Sequence, residues 1–264
     1  MAILAAAQPA HRRSLRNASE LLVALTLRDL RLRYQGSLFG WGWTLVRPLA
    51  LGVVLYFALG KVLGAGIESY PAFLLTGLFP WFWFQGSVQA AAGSFVGNGG
   101  LLKKVRFPRA VLPLSAVLGN TLQFVLALPV LVVFLAVAGH PPALLWVFAP
   151  VIFLVQFLLT AGIALFVASV TVFFRDLEHI VEVLLTFVFY GTPILYSASL
   201  IPPRFDWLVW VNPLAPIMES WRDVLLYGRW PEPGLGVAAV AALVAIALGW
   251  VTFRKLEDDF ADAV

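Results

Sequence analysis

The chain has 264 residues, 61% of them apolar and only 12% charged, with a formal net charge of +4 and a mean hydropathy of +0.90. Soluble domains carry about 25% charged residues, so a water-soluble protein is excluded and an integral membrane protein is implied. There is no cysteine, which excludes disulfides, thiolate metal sites and a cysteine nucleophile. The basic residues lie in short loops beside apolar runs, where they read as a topology signal and not as nucleic-acid binding.

In Met1 to Ser19, Arg12, Arg13 and Arg16 follow the few apolar residues, which is the reverse of a signal peptide. Glu20 to Tyr34 reads as a helix, with Asn17 and Glu20 at the spacing of a capping box. Val23, Leu27, Leu30 and Tyr34 make one apolar stripe, and Arg28, Arg31 and Arg33 supply charge. That pattern fits a helix lying on the cytoplasmic membrane surface, or an ordinary N-terminal cap on a bundle. Gly36, Gly40 and Gly42 then interrupt it, and Trp41 and Trp43 mark a membrane interface.

A first span follows, Trp43 to Leu63. It carries Arg47, which either snorkels to the headgroups or lines a polar path, because an arginine at mid-span costs about 2.5–3.5 kcal/mol on insertion scales. The second span, Tyr70 to Val96, contains Phe79-Pro80-Trp81-Phe82-Trp83-Phe84. These rings read either as an interfacial belt or as the lining of a conduit, in which the C–H faces of sugars slide over aromatic faces. Between the second and third spans lies a short basic loop, Gly99 to Arg109, whose Lys103, Lys104, Arg106 and Arg109 place it in the cytoplasm.

The third span runs from Val111 to Gly139 and turns at His140-Pro141-Pro142. The fourth, Leu144 to Phe174, ends at Arg175-Asp176-Leu177-Glu178-His179, a mixed-sign cluster expected to be a salt-bridged turn and not a metal or catalytic site. The fifth, Ile180 to Tyr196, has Gly191 and Pro193 near its end, which predicts a broken terminus. Ser197 to Gly234 reads as two short interfacial or re-entrant helices divided at Asn212-Pro213, serving as a passive lid or as a gate. Trp207, Trp210 and Trp221 there need cover, and Glu219 can reach Arg222 three residues on. The sixth span, Leu235 to Phe253, precedes an acidic end, Glu257 to Asp262, expected to be solvated.

Thirteen Lys and Arg then fall on the inner side and four on the outer, with Arg47 in a span. The expected fold is an all-α membrane protein with six transmembrane helices and both termini in the cytoplasm. Its parts are an N-terminal interface helix within 1–37, a spanning domain over 38–255, and an acidic tail over 256–264. No Walker A loop is present: the nearest approach, Leu55 through Gly60-Lys61-Val62, lacks the first glycine and the final Ser/Thr. Mid-span acid chains are missing too, Glu182 being a lone candidate near the inner surface. Any driving energy must come from a separate subunit. A membrane-bound glycosyltransferase would need clustered carboxylates at a membrane face, and a channel would need a recognisable filter.

Tyr70-Pro71-Ala72-Phe73-Leu74-Leu75 with Gly77-Leu78-Phe79-Pro80-Trp81, then Leu101 through Arg109 with Leu112-Pro113-Leu114, resemble the permease subunit of type 2 ABC polysaccharide exporters. Phe174 through His179, Thr192-Pro193-Ile194-Leu195-Tyr196 and Asn212-Pro213 extend the resemblance over about residues 20 to 255. The nearest branch is that of the O-antigen exporters, with teichoic acid and capsule exporters close by, and a small-molecule or drug exporter of the same architecture is the alternative. The resemblance implies a homodimer in the bacterial inner membrane, paired with two copies of a cytoplasmic ATPase that binds the ATP and magnesium. This chain would hold no cofactor and would move a polyprenyl-linked polysaccharide. The resemblance places coupling to the ATPase on Gly100, Leu101, Leu102, Lys103, Lys104, Arg106, Phe107 and Arg109, and an external gate around Trp207, Trp210, Glu219, Trp221 and Arg222. Arg47, Tyr56, Trp81, Trp83, Phe84 and Tyr190 would line the substrate path.

Overall fold

A computed structural model describes residues 10–37, 39–62, 66–104, 107–202, 204, 207 and 211–263. Among these the chain forms helices and connecting turns, with no strand. The long helices are α1 (Ala10–Tyr34), α2 (Trp43–Leu55, continued by a π-helical stretch Tyr56–Val62) and α3 (Tyr70–Ala92). Two short ones, α4 (Ser94–Gly97) and α5 (Gly99–Lys104), lead to α6 (Val111–Val137). A 3-10 turn, Leu144–Phe148, opens α7 (Ala149–Thr171), and α8 (Leu177–Gly191), α9 (Leu214–Leu225), α10 (Leu235–Leu256) and α11 (Phe260–Ala263) complete the chain.

Four stretches among the described residues are long and apolar enough to cross a membrane: Trp43–Lys61, Val111–Val137, Leu144–Thr171 and Leu235–Asp259. The two other expected spans differ for physical reasons. Helix α3 has the length, 23 residues, but its proline, tryptophans and glutamines lower its hydropathy, and most of it is buried inside the protein. Helix α8 has only 15 residues, about 22 Å at 1.5 Å per residue, because it stops at Gly191 where the sequence predicted a broken end.

The N-terminal helix also differs. It is already continuous at Ala10, so Asn17 and Glu20 sit inside it and do not form a capping box. Leu25 and Leu30 face inward, toward the α6 helix against which α1 packs, while Val23 and Leu27 of the expected stripe point outward. Gly36 takes positive φ, 76°, and ends the helix, and Gly40, at φ 50°, opens the 3-10 turn before α2.

Two apolar clusters organise the interior. One gathers α3, the second half of α6, the first half of α7 and α9. The other joins Leu25, Phe95, Leu102, the start of α6, the end of α7, Phe253 and Phe260. The tightest crossing is between α7 and α10: a methyl on Gly162 would land on the backbone of Ala245 and Ile246, and one on Gly249 would meet the Gly162 carbonyl. Glycine lets two backbones touch in this way where lipid offers no hydrophobic drive to association. The acidic end is not a free tail. Asp258 and Asp259 are solvated, but Phe260 is fully buried, its ring centroid 4.6 Å from that of Phe95.

Candidate functional site: an arginine clamp and a polar cavity

After Gly191 the chain leaves the helix and threads Thr192-Pro193-Ile194-Leu195 through the bundle, fully or nearly fully buried. Backbone carbonyls exposed by such a break need partners, since an unpaired buried polar group is costly. Side chains supply them. Arg222 donates from Nη1 to the Pro193 carbonyl at 2.6 Å and from Nη2 to the Ile194 carbonyl at 2.7 Å, and Tyr70 donates its hydroxyl to the Leu195 carbonyl at 2.7 Å. Asn212 donates Nδ2 to the Thr192 hydroxyl at 2.7 Å, while its Oδ1 accepts from the Leu214 amide at 3.0 Å in the turn that leads into α9.

Arg222 is therefore not an exposed gate residue. It is 0% exposed, sits 3.6 Å over the Phe73 ring, and pairs with Glu219 at 2.9 Å as the spacing predicted. Gly77 makes room for it: a Cβ there would come within 2.9 Å of Nη2. Trp221 is buried as well, donating Nε1 to Gln156 Oε1 at 2.8 Å, and Gln156 in turn donates to the Pro80 carbonyl at 2.8 Å. Trp207 is exposed, and Trp210 lies outside the described residues. Helix α9, with 12 residues, is too short to span. At its outer end the Asp223 carboxyl is raised to about 6, first by burial and then by the charges of Glu219 and Glu232, against the lowering influence of Arg229 and Arg222.

At the opposite end, α1, α2, α3, α6 and α8 enclose a cavity of about 750 Å³. Its wall carries Arg33, Arg47, Gln85, Gln89, Asn120 and Gln123, with Glu178 and Glu182 on α8. Arg33 donates to Asn120 Oδ1 at 3.2 Å, Tyr34 donates to Gln123 Oε1 at 3.1 Å, and Arg47 lies 4.6 Å over the Phe82 ring. Arg47, Phe82 and Gln85 also line a second recess of about 310 Å³ with Leu51, Trp81, Thr186 and Phe189. The four amides escaped the reading of the sequence, although Gln85 and Gln89 four apart on α3, and Asn120 and Gln123 three apart on α6, are polar pairs on apolar helices and were visible as such.

Three of the aromatic residues expected to line a path are enclosed within the protomer. Trp81, Trp83 and Phe84 are 1–3% exposed and spend their faces on packing. Trp83 stacks between Phe124 and Phe153, at 4.6 and 4.9 Å, and donates Nε1 to the Thr121 hydroxyl. Only edges of Trp81 and Trp83 reach the cavities, and Phe84 reaches neither. A helix apolar on all sides offers no sequence cue to which ring faces which way, which is why all three looked alike. Tyr190 is 63% exposed, and Tyr56 lies half-buried with the Lys61 ammonium 5.7 Å from its ring; neither lines these cavities.

In the basic segment, Gly100 and Lys103 are exposed, Leu101, Phe107 and Arg109 are half-buried, and Leu102 is buried in the inner apolar cluster. Leu102 therefore anchors α5 in the bundle. The Lys104 side chain and Arg106 lie outside the described residues. The Arg175 to His179 turn is not salt-bridged: among the described residues Arg175, Asp176 and Glu178 make no ion pair within 4 Å. Glu178 rests instead against Gly93, where a Cβ would come within 3.1 Å of its Oε1.

These features define a multi-pass helical membrane protein with an arginine clamp at one end and a polar recess at the other. The model of the ABC-2 type transporter family matches residues 20–226, and the chain belongs to that family. It is 38% identical over 244 residues to an O-antigen export system permease protein RfbA of Klebsiella pneumoniae, covering 92% of this chain and 94% of that relative. A protein of the same name from Myxococcus xanthus is 36% identical over 248 residues, 92% of this chain and 95% of the relative. The polysialic acid transport protein KpsM of Escherichia coli is 26% identical over 250 residues, 89% and 93% of the two chains.

Proposed function

We propose that the chain is the permease subunit of an ATP-driven exporter that carries a lipid-linked polysaccharide of the O-antigen kind out of the cytoplasm. The observation that carries this reading is the 38% identity to an O-antigen export permease, running over 92% of the chain. The lower identity to a polysialic acid transporter, 26%, favours O-antigen over capsule as cargo. In this reading two copies cross the inner membrane, six times each with both termini inside, and two copies of a separate ATPase bind the ATP and magnesium. Closure of the ATPases on ATP presses on the Gly100–Arg109 segment, with Gly100 and Lys103 as its outward-facing contacts and Leu102 as its anchor in the bundle. The push reaches α6 and, through Phe260 and Phe95, the end of α10. Helices then shift as rigid bodies and open a path along the two-fold axis, while the α9 region serves as the outer gate.

Deleting the gene tests this. Loss of surface polysaccharide with lipid-linked glycan building up inside, reversed by the wild-type gene, is the expected outcome. Normal surface polysaccharide together with lost resistance to a small molecule would replace the reading with drug efflux.

A further inference from the structure

We propose that the inner cavity is a docking site, within a single protomer, for one sugar unit of the cargo. This inference rests on the reading that the cargo is a polysaccharide, and adds to it a place and a chemistry. The cavity's volume, about 750 Å³, falls in the roughly 300–1,000 Å³ range of small-molecule sites. Its charges balance, Arg33 and Arg47 facing Glu178 and Glu182, so it is not built as an anion trap. The rest of its polar wall consists of the four amides with Tyr34 and Thr44. Gln, Asn, Arg and Glu side chains end in planar groups that present paired donors or acceptors, which suits neighbouring hydroxyls on a ring.

Two further observations point to a missing ligand. Gln85 Oε1 and Gln123 Nε2 are buried with no hydrogen-bond partner, and both residues line the cavity. Unpaired buried amide atoms are rare and each calls for an explanation; both are covered in the cavity wall, and rotation of the two terminal amides would turn an acceptor and a donor toward the hydroxyls of a bound sugar. The wall also combines these polar groups with ring faces, since Trp43 and Phe82 share it and Arg47 lies over Phe82. Finally, Gly86 keeps the polar wall in register: a Cβ there would come within 2.8 Å of Asn120 Oδ1, the atom that accepts from Arg33.

The test titrates the full-length chain, purified in detergent, with two probes by calorimetry. One is the repeat-unit oligosaccharide released by mild acid from the strain's own exported polysaccharide; the other is inorganic pyrophosphate. The oligosaccharide binds the wild type, and the double variant Gln85→Leu/Gln123→Leu weakens it on the order of tenfold or more, as the loss of two hydrogen bonds requires. Its melting temperature falls only modestly, because the Tyr34 hydroxyl loses its Gln123 Oε1 acceptor while two unpaired buried atoms are removed. A role in packing alone gives the same melting behaviour with binding unchanged, and that overturns the proposal. Absence of oligosaccharide binding overturns it too, as does pyrophosphate binding more tightly than the oligosaccharide. Gly86→Ala provides a second variant that deletes no polar group, and it too weakens the oligosaccharide by displacing Asn120. The underlying export reading fails separately: a strain lacking the gene would keep its surface polysaccharide. If deletion abolishes export while the double variant restores it fully and binds as the wild type does, only the docking site falls.

Discussion

The arginine at the outer end and the two at the inner cavity live under opposite rules. Arg222 is wholly buried, and its terminal nitrogens are spoken for by two carbonyls and a carboxylate. Arg33 and Arg47 are exposed, and among the described residues neither has a carboxylate within 4 Å. A guanidinium taken out of water must be repaid by near-complete hydrogen bonding, which commits Arg222 to holding α9 against the broken end of α8. A guanidinium left at the mouth of a cavity keeps its donors available. The same residue type thus serves architecture at one end and stays available to a ligand at the other.

The sharpest way to break this contrast is Arg222→Met. It strands Glu219 and the Pro193 and Ile194 carbonyls, and the expected loss is about 3–5 kcal/mol, seen as a large drop in the melting temperature of the detergent-solubilised protein. Arg222→Lys recovers little, because a single ammonium lacks the fork that reaches both carbonyls. Trp221→Phe comes next: it leaves the buried Gln156 Oε1 without its donor, at about 1–3 kcal/mol, measured in the same melts. At the inner end Arg47→Met gives up one exposed cation–π contact, worth about 0.5–1 kcal/mol, so the melt scarcely moves while export falls.

The last effect concerns pH. The Asp223 carboxyl is raised from 3.8 to about 6 in the folded protein, so the stability tied to its protonated form is complete below pH 3.8 and is lost as pH rises through about 6. Asp223→Asn removes that slope, and melting curves of the variant and the wild type converge at low pH and separate near neutrality, with the variant the more stable.

Legibility in the sequence followed the range of each interaction. The Glu219–Arg222 pair, three residues apart on one helix, was readable, and so was the stop at Gly191. The burial of Arg222 was not, because its other partners are backbone carbonyls 28 and 29 residues away, and a carbonyl leaves no mark in the residue pattern. Phe260 looked solvated because three carboxylates precede it, yet its partners Phe95 and Phe253 come from distant helices. The inner cavity draws on five helices, and only their packing places Gln85 across from Gln123. Helix class and the broad order of spans were accessible, since hydrophobic runs are local. Hidden beyond that stop was the burial of the apolar run past Gly191, which continues into a segment that is not helical.

The most direct trial of the account measures melting temperature and surface polysaccharide for Arg222→Met and Arg47→Met side by side, in one genetic background. The account predicts a strongly lowered melting temperature for Arg222→Met, and for Arg47→Met a near wild-type melt with reduced export. A stable Arg222→Met protein, or an Arg47→Met protein that exports normally, would contradict it.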